Sequence, residues 1–322
     1  MNTHRSTNAI STFLIVAMSS VLFCSKSVFA KLAYSLGADA LTVLSLRMGF
    51  ALPFFIAMVI LGSRGQTPLT AAMWLKLASL GFVGYYFSSL VNFTGLQYVS
   101  VGLERVILYT YPTLLLAFSA LVLKKPVRPA VWLASSITWL GILAAFGGEM
   151  HNPVANGHAA FGAMLIFASA VSYGAFILLS GDTISRVGSM RFTGIAVGFS
   201  CVFILSHEIL TRDITGLVNQ KPAVYGYGLI LATFGTVLPA LLMSIGLKRA
   251  GAQRFAIIST VGPVTTFALA WAVLGERPNF AQLGGFLLTL VGGLGVSLLK
   301  ESPNPAKQTS PDSAGSSDQR PA

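Results

Sequence analysis

Long apolar runs, each ended by a short polar or charged stretch, occupy nearly all of the first 300 positions of this 322-residue chain. A helix rising about 1.5 Å per residue needs about 20 mostly apolar residues to cross the hydrocarbon of a bilayer. Ten runs reach that length: residues 9–30, 40–62, 74–94, 101–123, 130–148, 157–179, 190–210, 224–246, 252–274 and 280–299. The first follows His4 and Arg5 and ends near Ala30, as a secretory signal would. It is longer than a signal core of ~7–15 residues, and its removal would leave the first half one helix short, so it is read as a true span.

The runs recur in a fixed order. Gly95 and Leu96, followed by Pro112, Ala117, Val122 and Leu123, reappear about 151 positions later as Gly246 and Leu247, then Pro263, Ala268, Val273 and Leu274; Gly141 likewise matches Gly292. Each copy holds five runs, and an odd number forces the second copy to enter the membrane from the opposite side. The pattern therefore predicts an all-α integral membrane protein of ten transmembrane helices, built as two inverted five-helix repeats over residues 8–149 and 156–300. Residues 301–322, with four prolines and many serines, lack apolar periodicity and read as a disordered cytoplasmic tail.

Composition agrees with a membrane protein: 54% of residues are hydrophobic, 10% are charged, and mean hydropathy is +0.74, which excludes a soluble domain with a wetted surface. The net charge of +11 is distributed unevenly. With the N-terminus cytoplasmic, Arg64, Lys76, Lys124, Lys125, Arg128, Arg186, Lys248, Arg249 and Lys300 fall on the inner side, whereas Asp39, Glu104, Glu149, Glu208, Asp213 and Glu276 fall on the outer. The chain is thus expected to be multi-pass in the plasma (inner) membrane with both termini cytoplasmic. Its basic excess is a topology signal and an attraction to anionic membrane lipid, not a sign of nucleic acid.

Two cations break the apolar rule. Lys26 and Arg47 lie inside spans, where a charge costs about 3 kcal/mol even on lenient insertion scales. Lys26 falls about 25 Å up the first helix and Arg47 about 10 Å down the second, so both belong to the outer half of the membrane with Lys31, Glu104 and Arg105. One reading is a vestibule in which Lys26 and Arg47 recognise an anionic or carboxylate-bearing solute, while Glu104 answers an amino group or balances Arg105. The other is snorkelling to the headgroups, the expectation for Lys31 and Arg105. A buried lysine can also lose its proton, so Lys26 is a candidate coupling site. Asn92, Tyr109 and Tyr111 are further candidates to bond or stack a solute. Pro53, Pro112, Pro239 and Pro263 fall near mid-span, where a missing N–H frees a carbonyl; Pro112 and Pro263 match between copies and are read as bending around a central path. Gly284, Gly285, Gly292, Gly293 and Gly295 allow close helix approach, which also suits a homodimer face.

No phosphate-cradling Gly-Lys-Ser/Thr loop, metal-ligand histidine spacing or nucleophile turn occurs in the sequence. Neither an enzyme nor a bound cofactor or metal is expected.

The motifs are similar to those of the EamA family of the drug/metabolite transporter superfamily. The resemblance rests on Gly262-Pro263, then Leu274-Gly275-Glu276-Arg277, then Gln282 to Gly285 with Gly292, and in the first copy on Phe29-Ala30-Lys31, Leu46-Arg47 and Pro112. Lys124-Lys125-Pro126 stands where the family commonly has Gly-Glu, and Glu104 where it generally has a small residue. The resemblance implies a secondary active transporter working by alternating access, an exporter of amino acids or related small metabolites. The net-basic vestibule leaves open a translocator of organic or sugar phosphates, and a non-transporting membrane scaffold is the rival from another class.

Overall fold

The computed structural model describes residues 2–122, 128–150, 158–212 and 214–300. The tail at 301–322, Asp213 and the Lys124-Lys125-Pro126 stretch lie outside them. Among the described residues the chain is helical, with no strand. The long helices are α1 (Asn2–Ser35), α2 (Ala40–Ser63), α7 (Pro129–Glu149), α8 (Ala159–Val187), α9 (Ser189–Thr211) and α14 (Phe280–Lys300). Shorter pieces make up the rest: α3 (Ala71–Gly81), α4 (Ser88–Leu96), α5 (Val101–Leu108), α6 (Tyr111–Val122), α10 (Ile214–Val218), α11 (Pro222–Ala232), α12 (Leu238–Ser259) and α13 (Val261–Leu274).

Helix ends follow local chemistry. Asp39 starts α2 by accepting from the Thr42 amide at 2.8 Å; burial pushes its carboxyl pKa up, but the bonds from Thr42 and Arg212 outweigh it and leave the value below the usual. Thr70 and Ser100 start α3 and α5 in the same way. Gly188, at φ +84°, joins α8 to α9 in a backbone conformation few side chains adopt.

Nine helical stretches among the described residues are long and apolar enough to cross a membrane. The expected run 74–94 is not one of them. Residues 71–96 do stay helical throughout, but Lys76, Tyr85, Tyr86, Ser88, Ser89 and Asn92 dilute their hydropathy. A second departure concerns the expected break between spans eight and nine. Helical turns continue through residues 248–251 and pause only at Thr260. At the matching place in the first copy the chain stops at Gln97 and restarts at Ser100, whose hydroxyl caps the next helix; Gly251 has no side chain with which to do so.

Each copy also carries a widened, π-helical turn, Phe82–Phe87 between α3 and α4 and Thr233–Val237 between α11 and α12. They lie 151 positions apart and hold Gly84 and Gly235 at matching places. Such insertions free carbonyls from the regular ladder and recur at functional sites. Ser172 Oγ donates to the Val83 carbonyl at 2.6 Å, and Thr236 Oγ1 to the Leu231 carbonyl, five residues back, at 2.8 Å.

The main helix contacts recur when the two copies are exchanged. α1 lies on α12 and α13, as α8 lies on α4 and α6; α2 packs on α11, as α9 packs on α3; α2 meets α9 and α7 meets α14. The last contact repeats atom by atom. A Cβ on Gly141 would stand 2.5 Å from Thr289 Oγ1 and 2.6 Å from the Gly285 carbonyl, and one on Gly292 would stand 2.5 Å from Thr138 Oγ1 and 2.7 Å from the Ala134 carbonyl. Adding 151 converts Ala134, Thr138 and Gly141 into Gly285, Thr289 and Gly292. Gly285 and Gly292 of α14 are thus used inside the chain, as close helix packing in lipid requires. Gly285→Val puts a side chain 2.4 Å from the Gly141 carbonyl and should lower the thermal midpoint in detergent by the equivalent of about 1–3 kcal/mol or more. Gly284→Val, one residue away with nothing within 4 Å of its Cβ, should leave the midpoint unchanged.

Candidate functional site

Four of the expected residues meet where α1, α2, α4 and α5 face the second π-turn. Arg47 is buried at 6% exposure. Its Nε donates to Thr236 Oγ1 at 2.7 Å, its guanidinium carbon lies 5.3 Å from the Phe93 ring centroid, and its Nη1 has no hydrogen-bond partner. Lys26 is half-buried. α1 approaches because Gly235 has no side chain: a Cβ there would lie 3.3 Å from Lys26 Cβ. The Lys26 ammonium sits 4.6 Å from the Phe23 ring centroid, and its charged neighbours are Arg105, Arg47 and Glu104. Among the described residues, neither Lys26 nor Arg47 has a carboxylate within ion-pair distance.

Glu104 is fully buried. Its Oε2 accepts from Ser27 Oγ at 3.0 Å and its Oε1 from Asn92 Nδ2 at 3.2 Å and Arg105 Nη2 at 3.3 Å. Arg105 Nε lies 2.9 Å from Oε2, an ion contact without the alignment of a hydrogen bond; Nη2 also donates to Ser27 Oγ. The expectation that Arg105 snorkels is therefore wrong: it is buried and paired. α5 is enclosed by α7, α8, α13 and α14, so its side chains have no headgroup to reach. Glu104 pairs with Arg105, one of the two roles open to it.

Tyr109 and Tyr111 stand beside the cluster. Tyr109 ends α5 and packs on α14, where a Cβ on Gly293 would lie 3.4 Å from its Cδ1. Tyr111 is 40% exposed, with its ring centroid 6.4 Å from Tyr173. Tyr173 lies 5.8 Å from Phe176, and Phe176 meets Tyr85 of the first π-turn edge-on at 5.0 Å. An aromatic wall from α8 and the first π-turn thus complements the charged one. Pro239 and Pro263 are buried and Pro53 is exposed. Pro112 opens α6 just after the Tyr109–Thr110 break, Pro239 directly follows a π-turn, and Pro263 directly follows the pause at Thr260. Three of the four prolines thus sit where the helical ladder is already interrupted, which is where a missing N–H is tolerated.

A second polar cluster, absent from the sequence reading, fixes α5. Glu149 accepts from the Ser100 amide at 2.7 Å, from Ser100 Oγ at 2.6 Å and from Gln282 Nε2 at 2.6 Å. Glu276 accepts from the Val101 amide at 3.0 Å. Burial raises the Glu276 carboxyl above its ordinary pKa despite that bond and the nearby Lys31. Two carboxylates at a helix N-terminus answer its free amides and its dipole. Lys31, half-buried, has Glu276, Glu149 and Glu104 as charged neighbours. Ser27 and Thr236 were also missed, because a lone hydroxyl in an apolar run gives no periodic signal.

The EamA-like transporter family model matches the chain twice, over residues 10–147 and 160–298. Similar proteins include the uncharacterized transporter YcbK of Bacillus subtilis (strain 168), 30% identical over 292 residues, 87% of this chain and 91% of the relative. YetK of the same organism, also an uncharacterized transporter, is 24% identical over 78% of this chain and 77% of its own. An uncharacterized transporter of Archaeoglobus fulgidus is 24% identical over 87% and 93%. One solved crystal structure, 20% identical, aligns with a TM-score of 0.55 over 91% of this chain and 99% of its own; at that identity it shows the fold alone.

Glu104→Gln should strand the buried Arg105 without a counter-charge and lower stability by about 3–5 kcal/mol. Glu104→Gln combined with Arg105→Met should recover most of the loss in a detergent melting curve. An unchanged midpoint for the single variant would mean that the pair is solvated.

Proposed function

This chain belongs to the EamA-like transporter family and is a multi-pass membrane transporter; we propose that it is a secondary active transporter exporting amino acids or related small metabolites by alternating access. In this reading, residues 71–96 are the tenth crossing. The two five-helix units, 8–149 and 156–300, are inverted, and both termini are cytoplasmic in the plasma (inner) membrane. The halves rock about their pseudo-two-fold axis and expose a central site to one side at a time. Lys26 and Arg47 bind the solute, with Asn92, Tyr109 and Tyr111 around it; Glu104 holds Arg105 in place. Export is the direction that the family resemblance implies.

The observation that carries this reading is Arg47: a buried guanidinium with Nη1 unpartnered, reaching from the first copy to Thr236 of the second. An ionisable group inside a span that lacks a protein counter-charge marks a solute path. The excess of cations also supports a second reading, a translocator of organic or sugar phosphates.

Proteoliposomes holding the full chain, loaded with a mixture of amino acids and their keto- and hydroxy-acid analogues, should release at least one compound faster than protein-free vesicles. Arg47→Ala should reduce release to the vesicle baseline while membrane-inserted protein is undiminished. Full release by a well-inserted Arg47→Ala protein would refute the assignment.

A further inference from the structure

Building on the transporter reading, and narrowing its solutes to the related small metabolites rather than the amino acids themselves, we infer that the site selects solutes of net negative charge, a carboxylate or phosphate on an apolar or aromatic body, and discriminates against zwitterionic amino acids. Lys26, Arg47 and Arg105 place three basic side chains against the single carboxylate of Glu104. Arg105 and Glu104 cancel, and the two cations left over are those without a carboxylate in ion-pair range among the described residues.

A zwitterion needs a place for its ammonium as well as its carboxylate. Both Glu104 oxygens are already occupied by Ser27, Asn92 and Arg105. The other buried carboxylates are committed elsewhere: Glu149 to Ser100 and Gln282, Glu276 to the Val101 amide and Glu208 to Ser45. Among the described residues of the cluster, Arg47 Nη1 and the neutral acceptor Asn92 Oδ1 have no hydrogen-bond partner, and the Lys26 ammonium has no carboxylate in ion-pair range. An ammonium placed there faces two bare cations with only an amide oxygen in compensation, whereas a carboxylate or phosphate satisfies the arginine fork and the lysine together.

The body of the solute follows from the aromatic side chains beside the cluster. Tyr111, Tyr173, Phe176 and Tyr85 form a continuous aromatic set, and Tyr111, Lys26 and Arg105 share Cys24 as an electrostatic neighbour. Tyr111 is 40% exposed and Phe23 44%. Phe23 lies nine residues, or two and a half turns, beyond the exposed Leu14, so the two point to opposite sides of α1, and Lys26 shares the side of Phe23.

Four probes with nearly the same ring and different charge test the inference on full-length protein in proteoliposomes: 3-phenylpropionate, phenyl phosphate, phenylalanine and phenethylamine. At neutral pH the carboxylate or the phosphate should exchange in counterflow at least tenfold faster than phenylalanine, with phenethylamine at the protein-free baseline. Whichever anion is faster identifies the oxyanion preferred. Lys26→Met should slow the anions about tenfold and bring their ratio to phenylalanine towards one. Should that variant fail to insert, Arg47→Lys, which keeps the charge but loses the fork, should slow the anions several-fold. Phenylalanine exchanging as fast as, or faster than, both anions would overturn the inference while leaving a transporter. If none of the four exchanges, the inference also falls, and release from vesicles loaded with the wider metabolite mixture decides the transporter reading separately.

Discussion

A charge inside a membrane-spanning helix persists only where other parts of the protein answer it, and here the answering groups come from both halves of the chain. Arg47 of the first copy is held by Thr236 of the second, and Lys26 reaches its position because Gly235 of the second leaves room for α1. Glu104 ties α1, α4 and α5 together through Ser27, Asn92 and Arg105. Buried ion pairs seldom add net stability over apolar packing. What this one supplies is a fixed arrangement in which, among the described residues, two further cations stand without a carboxylate partner.

The scaffold is duplicated and the chemistry is not. The main helix contacts, the π-turns and the glycine seam between α7 and α14 exchange under the 151-residue offset. The charged cluster does not: at the positions matching Lys26, Arg47, Asn92 and Glu104 the second copy has Ile177, Gly198, Met243 and Phe255. Where the second π-turn faces α1 and its lysine, the first faces α8 with Tyr173 and Phe176. In the proposed mechanism, a duplicated frame of this kind provides two equivalent surfaces to rock against each other, the divergence of their linings gives the path a cationic wall and an aromatic one, and binding at the junction couples the solute to the relative position of the halves, the requirement for alternating access.

Much of this was legible in the chain. Apolar runs marked the spans, the recurring Gly, Pro and Leu positions marked the duplication, and the cost of charge in lipid singled out Lys26 and Arg47. The misses have physical causes. Arg105 sits where a lone helix would let it snorkel, and only the helices around α5 bury it. A π-turn adds one residue to a helix and leaves the hydrophobic pattern almost unchanged, so the place of Thr236 could not be read in advance. Glu149 meets Ser100 and Gln282 through long-range packing, which local sequence does not encode.

In the proposed architecture the two copies meet head to tail, so that corresponding connections lie on opposite faces of the bilayer. After removal of the two buried thiols, Cys24 and Cys201, single cysteines at the exposed positions Gln66, between α2 and α3, and Asn219, between α9 and α11, can be titrated with a membrane-impermeant thiol reagent on intact cells and on inverted vesicles. The account predicts labelling of Asn219→Cys in intact cells and of Gln66→Cys only in inverted vesicles. Labelling of both from the same side would contradict it.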